Sequence, residues 1–187
     1  DLPAETFGFL PDPLTKEKNG EQWRLGDTYN TSIGQGDLLV TPIELINYIA
    51  VFADNGKMKK LFIAEKVFAS EDNIFYKAEP AVLGDYSELF SYIKEVQKGM
   101  VDAVAKPYGT AHLLSDLPVK VAAKTGTAQI EGNKKINAFF VGYAPIENPK
   151  IVILVMVENA KEGSLNAIPV AKDIFNWYYN NRLKINN

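Results

Sequence analysis

Apolar residues recur along this chain at two spacings, and each spacing predicts a different kind of element. Leu45, Ile46, Ile49, Phe52 and Ala53 return every three to four residues, the period of a helix with one buried face. Thr41-Pro42-Ile43-Glu44 supplies its start, a capping box with proline at the first helical position, and Asn55-Gly56 its left-handed stop. A second helix is predicted over about 85–104, with Leu89, Ile93, Val96 and Met100 as its buried stripe and Pro107 just past its end. Short strands are expected at 61–64 and 67–68. Longer β-type runs occupy 119–123, 137–143 and 151–157, joined by a connection containing Gly132-Asn133 and by a turn over 145–149. A last helix begins near Ile168-Pro169 and should bury Val170, Ile174, Phe175 and Tyr178. Residues 1–40 read as irregular, because Pro3, Pro11, Pro13, Gly20, Gly26, Gly34 and Gly36 break any period.

From residue 119 onward the order is therefore strand, strand, strand, helix. Consecutive strands with short connections pair antiparallel, and an amphipathic terminal helix can cover one face of their sheet. The expected fold class is α+β. Three stretches organise it: an irregular one over 1–40, a helical one over 41–118, and the sheet with its terminal helix over 119–187.

Composition removes several function classes. A formal net charge of −3 gives no bulk attraction to nucleic acid or to an anionic membrane surface. With no cysteine there is no disulfide framework, no thiolate nucleophile and no cysteine-bound zinc. One histidine, His112, cannot build an imidazole metal site, and no cofactor is implied. His112 reads as a structural residue rather than a base, and Trp23, Trp177 and Tyr178-Tyr179 as core or interface residues rather than ligand stacks. Asn30-Thr31-Ser32 matches a glycosylation sequon, a pattern common by chance, and Gly34-Gln35-Gly36 lacks the third glycine of a phosphate loop. The aliphatic run 151–157 is far shorter than the roughly 20 residues of a membrane-spanning helix. Asp1-Leu2-Pro3-Ala4-Glu5 has neither the basic start nor the apolar stretch of a signal peptide, so an export or anchoring signal is expected upstream.

The candidate chemistry lies in Lys124-Thr125-Gly126-Thr127-Ala128-Gln129, directly after a β-type run. Lys124 offers a compact positive charge, and Thr125 and Thr127 offer hydroxyl donors. Gly126 has no side chain, so the backbone of a ligand can come close to the strand. A peptide added to that strand edge would bring its carboxylate to the lysine and threonines. Taken alone, Lys-Thr-Gly is a weak signal, and a polar strand end with a glycine turn explains it equally well.

Its surroundings make it specific. The stretch Val119-Lys120-Val121-Ala122-Ala123-Lys124-Thr125-Gly126-Thr127-Ala128-Gln129 resembles the third-motif strand of class B penicillin-binding proteins. Gly26 to Gly36, followed by Leu39-Val40-Thr41-Pro42, is similar to the segment before that motif in the elongation-type penicillin-binding proteins 2. Asp1-Leu2-Pro3 with Gly8-Phe9-Leu10-Pro11 resembles the stretch after the family's second motif. Ala138-Phe139-Phe140-Val141-Gly142-Tyr143-Ala144-Pro145, Val157-Glu158-Asn159 and Pro169-Val170-Ala171-Lys172 match later parts of the domain in order.

The resemblance implies part of a penicillin-binding, serine β-lactamase-like fold and a peptidoglycan D,D-transpeptidase acting on stem peptides that end in D-Ala-D-Ala. β-Lactams would be inhibitors. Lys124 and Thr125 would bind the donor carboxylate, and Gly126 would leave room for the acyl chain. Thr127 would give its hydroxyl to that carboxylate and its backbone N–H to an oxyanion hole. Implied partners are an elongation-complex glycosyltransferase and a membrane scaffold, at the periplasmic side of the inner membrane. The alternatives are a non-catalytic sensor module, a D,D-carboxypeptidase or a β-lactamase.

The sequence departs from the family in one respect. Its first two motifs, Ser-x-x-Lys and Ser-x-Asn, belong before Lys-Thr-Gly. Ser91-Tyr92-Ile93-Lys94 falls within the second predicted helix, mid-helix by the pattern, and Ser164-Leu165-Asn166 falls after Lys-Thr-Gly. Six serines and 18 lysines give about 0.6 chance matches to Ser-x-x-Lys, so both read as coincidence. The nucleophilic serine and its lysine are then expected outside this chain, on an N-terminal half of the same domain, upstream or separate. Without that half, the chain should expose apolar surface.

Overall fold

The computed structural model describes residues 6–71, 73–130, 135–161 and 163–184. Its helices are α1 (Pro13–Lys18), α2 (Leu25–Ser32), α3 (Pro42–Ala53), α4 (Phe90–Ala105) and α5 (Ile168–Tyr178). Its strands are β1 (Lys57–Lys59), β2 (Lys66–Ser70), β3 (Asn73–Lys77), β4 (Val82–Asp85), β5 (Ala122–Ile130), β6 (Lys135–Ala144) and β7 (Ile151–Val157). The main sheet has the order β5-β6-β7, antiparallel throughout, with Gly126 opposite Phe139 and Phe140 opposite Val155. Two smaller antiparallel pairs, β1-β4 and β2-β3, complete the strands. The α+β class and the antiparallel sheet under a terminal helix are as the sequence predicts. Gly132-Asn133 lies outside the described residues.

Period-two alternation divides the sheet between two cores. Ala123, Ala138, Phe140, Ile153 and Val155 join Ile168, Ala171 and Phe175 of α5 on one face. On the other, Ala122, Val141 and Tyr143 meet Ile49 and Ala53 of α3 and Met100 of α4. Phe140 and Phe175 anchor the first core in an edge-to-face pair, with ring centroids 6.3 Å apart.

The structure corrects several expectations. Residues 1–40 are not wholly irregular, since α1 and α2 lie among them. Neither helix has a buried residue, so no apolar stripe betrays it, and side-chain caps hold the N-terminus of each instead. Asp12 accepts from the N–H groups of Leu14 (2.9 Å) and Thr15 (3.0 Å), and Asp27 from that of Arg24 (2.7 Å). Residues 61–64 are not a strand. The strand is Lys57–Lys59, paired with Val82–Asp85. Helix α4 starts at Phe90 rather than near 85, because Asp85 ends β4 and its carboxylate accepts from Ser87 N–H at 2.9 Å to open a 3-10 turn. Its buried residues are Ile93, Met100 and Val104, while Leu89 and Val96 are exposed.

On α5 the buried stripe is Ile168, Ala171 and Phe175. Val170 and Ile174, expected inside, are 44% and 37% exposed. Together with Trp177, 56% exposed, they form a second apolar stripe at helical spacing on the outer side.

The start of the described chain is clamped to α3 by Glu44. Its carboxylate accepts from Gly8 N–H with both oxygens (2.9 and 3.0 Å) and from Thr41 N–H at 2.9 Å. Phe9 and Leu39 exchange a pair of backbone hydrogen bonds beside it. A Cβ on Gly8 would stand 2.3 Å from Leu39 O, so this approach requires glycine. The Gly8 N–H, and after it the Thr41 N–H, holds the Glu44 carboxyl below its ordinary range. Because the folded form binds this proton less readily than the unfolded chain, the clamp contributes stability above the ordinary glutamate range. That contribution is lost as pH falls through the depressed value. The protection factors of the Gly8 and Phe9 amides, exchange corrected for its intrinsic pH dependence, should fall through that acid step, and Glu44→Gln should remove the step. Protection factors that stay constant with pH in both proteins would refute the clamp.

Candidate functional site

Strand β5 carries Lys124, Thr125, Gly126 and Thr127 in its interior, so the motif is neither a strand end nor a turn. The strand stands at the edge of its sheet: β6 pairs with one side, and among the described residues no strand pairs with the other. That free side presents backbone donors and acceptors in register for an added chain.

The four residues follow one another on β5, so Lys124 and Gly126 share one face of the strand and Thr125 and Thr127 the other. Lys124 is exposed, and its ammonium donates to the carbonyl of its neighbour Thr125. Thr125 is buried, and its hydroxyl donates to Thr110 Oγ1 at 2.9 Å, which fixes its rotamer. Thr127 is exposed on the same face. Gly126 is the most informative of the four. A Cβ added there would meet only Phe139 Cβ, at an ordinary 3.7 Å, and the φ angle is not in the left-handed region. Nothing in the chain's own packing requires glycine here. The space above it stays open for a ligand.

Three neighbours were not among the site residues expected from the sequence, although Gln35 lies in the Gly26 to Gly36 segment that carries part of the resemblance. Thr110 orients Thr125. Gly163, with φ of 60°, lets the loop after β7 come against Thr127, since a Cβ there would lie 3.0 Å from Thr127 Oγ1. Gln35 reaches the free edge of β5, its Nε2 donating to the Thr127 carbonyl at 3.3 Å. For Gln35 the signals were that resemblance and the glycine on each side, which reads as a turn rather than as a site.

The other residues that the sequence singled out take the following positions. His112 Nδ1 lies 3.0 Å from Val104 O, closing the turn after α4. Ser91 is the second residue of α4, not in mid-helix, and Lys94 donates to Asn55 Oδ1 at 3.0 Å while lying over the Phe90 ring. Leu165 and Asn166 sit in a 3-10 turn before α5. Trp23 donates to Thr28 Oγ1 at 2.8 Å, and the Lys16 ammonium lies over its ring. Trp177 is exposed on the outer stripe of α5. Among the described residues there is no group of three or more His, Asp or Glu side chains suited to a metal, and no helix is long and apolar enough to cross a membrane.

The family model of the penicillin-binding protein transpeptidase domain matches residues 4–176. The chain belongs to that family. Within it, the relatives are of the penicillin-binding protein 2 type. The peptidoglycan D,D-transpeptidase MrdA of Haemophilus influenzae is 30% identical over 98% of this chain and 30% of that protein. Among solved structures, penicillin-binding protein 2 of Helicobacter pylori, in complex with MreC, superposes with a TM-score of 0.75 at 28% identity, covering 95% of this chain and 32% of that one. Penicillin-binding protein 2 of Pseudomonas aeruginosa, in complex with WCK 5153, gives 0.74 at 28% identity, with 94% and 39% covered. This transpeptidase-family chain thus spans about a third of the length of the relatives it matches.

Proposed function

We propose that the complete protein is a peptidoglycan D,D-transpeptidase and that this chain supplies the strand on which the donor peptide is held. The observation that carries the reading is the unpaired edge of β5 with open space above Gly126, flanked by the Lys124 ammonium and the Thr127 hydroxyl. A stem peptide laid along that edge places its terminal carboxylate by those two groups, Thr125 supporting the strand from beneath with its hydroxyl given to Thr110, and the Thr127 N–H serves as an oxyanion donor. An upstream serine attacks the penultimate D-Ala carbonyl, and the terminal D-Ala leaves as the free amine after taking a proton. An amine on a neighbouring stem peptide then attacks the acyl-enzyme and restores the serine.

A companion portion of the domain fits the surfaces this chain leaves open. The outer edge of β7 has no partner strand among the described residues. Beside it lies a groove of about 540 Å³, lined by Ile43, Ile46, Leu61, Ile63, Leu83 and Val152. The buried Oδ1 of Asn47, also in its lining, has no hydrogen-bond partner. The second stripe of α5 is equally uncovered. Apolar surface on this scale marks an interface, and the N-terminal half of the domain is its occupant. In the assembled protein the site faces the periplasm. A scaffold such as the MreC bound by the Helicobacter relative, and a glycosyltransferase, are its partners.

Fluorescent penicillin labelling of the complete protein, followed by peptide mapping, tests this. The label should fall on an upstream serine and be lost in Gly126→Val, with the thermal midpoint of the variant measured beside it, since a Cβ there meets only Phe139 Cβ at an ordinary 3.7 Å in this chain. A label on Ser91 sinks the assignment. No label at all, with an upstream Ser-x-x-Lys replaced, establishes the sensor reading in its stead.

A further inference from the structure

The free edge of β5 is open to a strand, yet its acceptors are not idle. The Thr125 carbonyl takes the Lys124 ammonium, and two residues on, the Thr127 carbonyl takes the Gln35 carboxamide at 3.3 Å. Carbonyls of alternate residues point to the same side of a strand, so the chain's own side chains occupy two successive positions of the register a peptide would use. Lys124 belongs to the strand itself. Gln35 comes from 92 residues earlier, and the local fold is arranged to deliver it.

That arrangement has three parts. Gln35 follows α2 directly, and its backbone N–H is tied to Asn30 O at 2.8 Å. The glycines on either side, Gly34 and Gly36, have φ of 72° and 78°, so the chain turns left-handed before and after it. A Cβ on Gly36 would also press on Asn30 Cβ at 3.1 Å. The backbone of Gln35 is therefore held while its side chain reaches out to the edge. The bond it makes to the edge is an exposed one.

Building on the strand-addition reading above, we infer that Gln35 is a specificity-determining residue whose carboxamide stands where a backbone N–H of the donor belongs. Binding is then an exchange. The donor's N–H replaces the Gln35 N–H on the Thr127 carbonyl, and the carboxamide turns to solvent. A ligand without an N–H at that position gains nothing by displacing Gln35 and leaves the Thr127 carbonyl capped. The edge is thereby protected against indiscriminate pairing and stays available to peptides of the correct register.

The test uses the complete protein and stopped-flow acylation by a β-lactam carrying an acylamino N–H, which resolves the dissociation constant of the encounter complex from the first-order acylation step. Gln35→Ala and Gln35→Met, the latter of similar length but with no N–H to donate, should each tighten the encounter complex about two- to tenfold, the worth of one neutral hydrogen bond no longer broken. The acylation step itself should stay constant, and a β-lactam lacking that N–H should show no gain. A purely structural role for Gln35 would lower thermal stability and leave the two ligands undistinguished. Unchanged or weaker binding in both variants, with wild-type acylation intact, overturns the inference and leaves the transpeptidase reading standing. Absence of acylation in the wild type overturns both.

Discussion

Replacing Lys124 by alanine in the complete protein is expected to lower its second-order acylation by β-lactams about 10²- to 10³-fold, the usual cost of removing one charged or preorganised donor from a closed site. The side chain is exposed and its one described bond is to the carbonyl of its own neighbour, so the thermal midpoint should scarcely move. Separation of the two effects is the diagnostic feature. The loss should appear with anionic ligands, since what disappears is an ammonium facing a carboxylate. Lys124→Arg should recover only part of the activity, because a planar fork cannot take the place of a compact ammonium next to the strand. A loss of less than about threefold in the alanine variant would falsify the placement of the donor carboxylate at this strand.

The second large effect concerns stability. Phe175→Ala should destabilise the fold by about 3–5 kcal/mol, the range for emptying a fully buried aromatic site. Phe175 is 1% exposed and stands edge-on to Phe140, itself fully buried on β6. Their neighbours Ala138, Ala167 and Ala171 are already small and have no side-chain length with which to fill a void. For a domain of this size the shift corresponds to about 6–20 °C in thermal midpoint. Trp177→Ala, two residues away on the exposed stripe, is the comparison. If the two variants unfold alike in the isolated chain, the described core is wrong.

These two residues show how far the sequence could be read. Around Phe175 the fold was legible because strands and helix advertise themselves by apolar period, and the capping box at Thr41 located α3 to the residue. The side of α5 was misjudged for a physical reason. The helix has two apolar stripes: Phe175 belongs to the inner one as expected, but Val170 and Ile174 stand on the outer one, and the small Ala171 fills the inner position that they were expected to take. Helices α1 and α2 escaped notice because polar groups hold that region. Lys16 pairs with Asp27 at 3.0 Å and Asp37 at 3.3 Å, contacts between distant positions that leave no periodic trace. Strand β1 was missed because its partner β4 lies more than 20 residues later, and three residues alternate too briefly to be seen. At the site, the sequence marked Lys124 to Thr127 through their ordered neighbours. It could not show that Gly126 is free of packing constraint, or that Gln35 reaches across to Thr127, because both facts depend on chain approach.

The unpartnered outer edge of β7 bears on how such a protein is made. A bare strand next to an apolar groove is a template for any extended chain, including another copy of itself, and so a seed for aggregation. Synthesis runs from the N-terminus, and β7 is among the last elements to emerge. On the arrangement proposed above, a serine-bearing half encoded upstream would already be present when the edge leaves the ribosome and could pair with it at once. Translation order would then act as the chaperone for this edge. The same polypeptide cut into separately made halves would lose that protection.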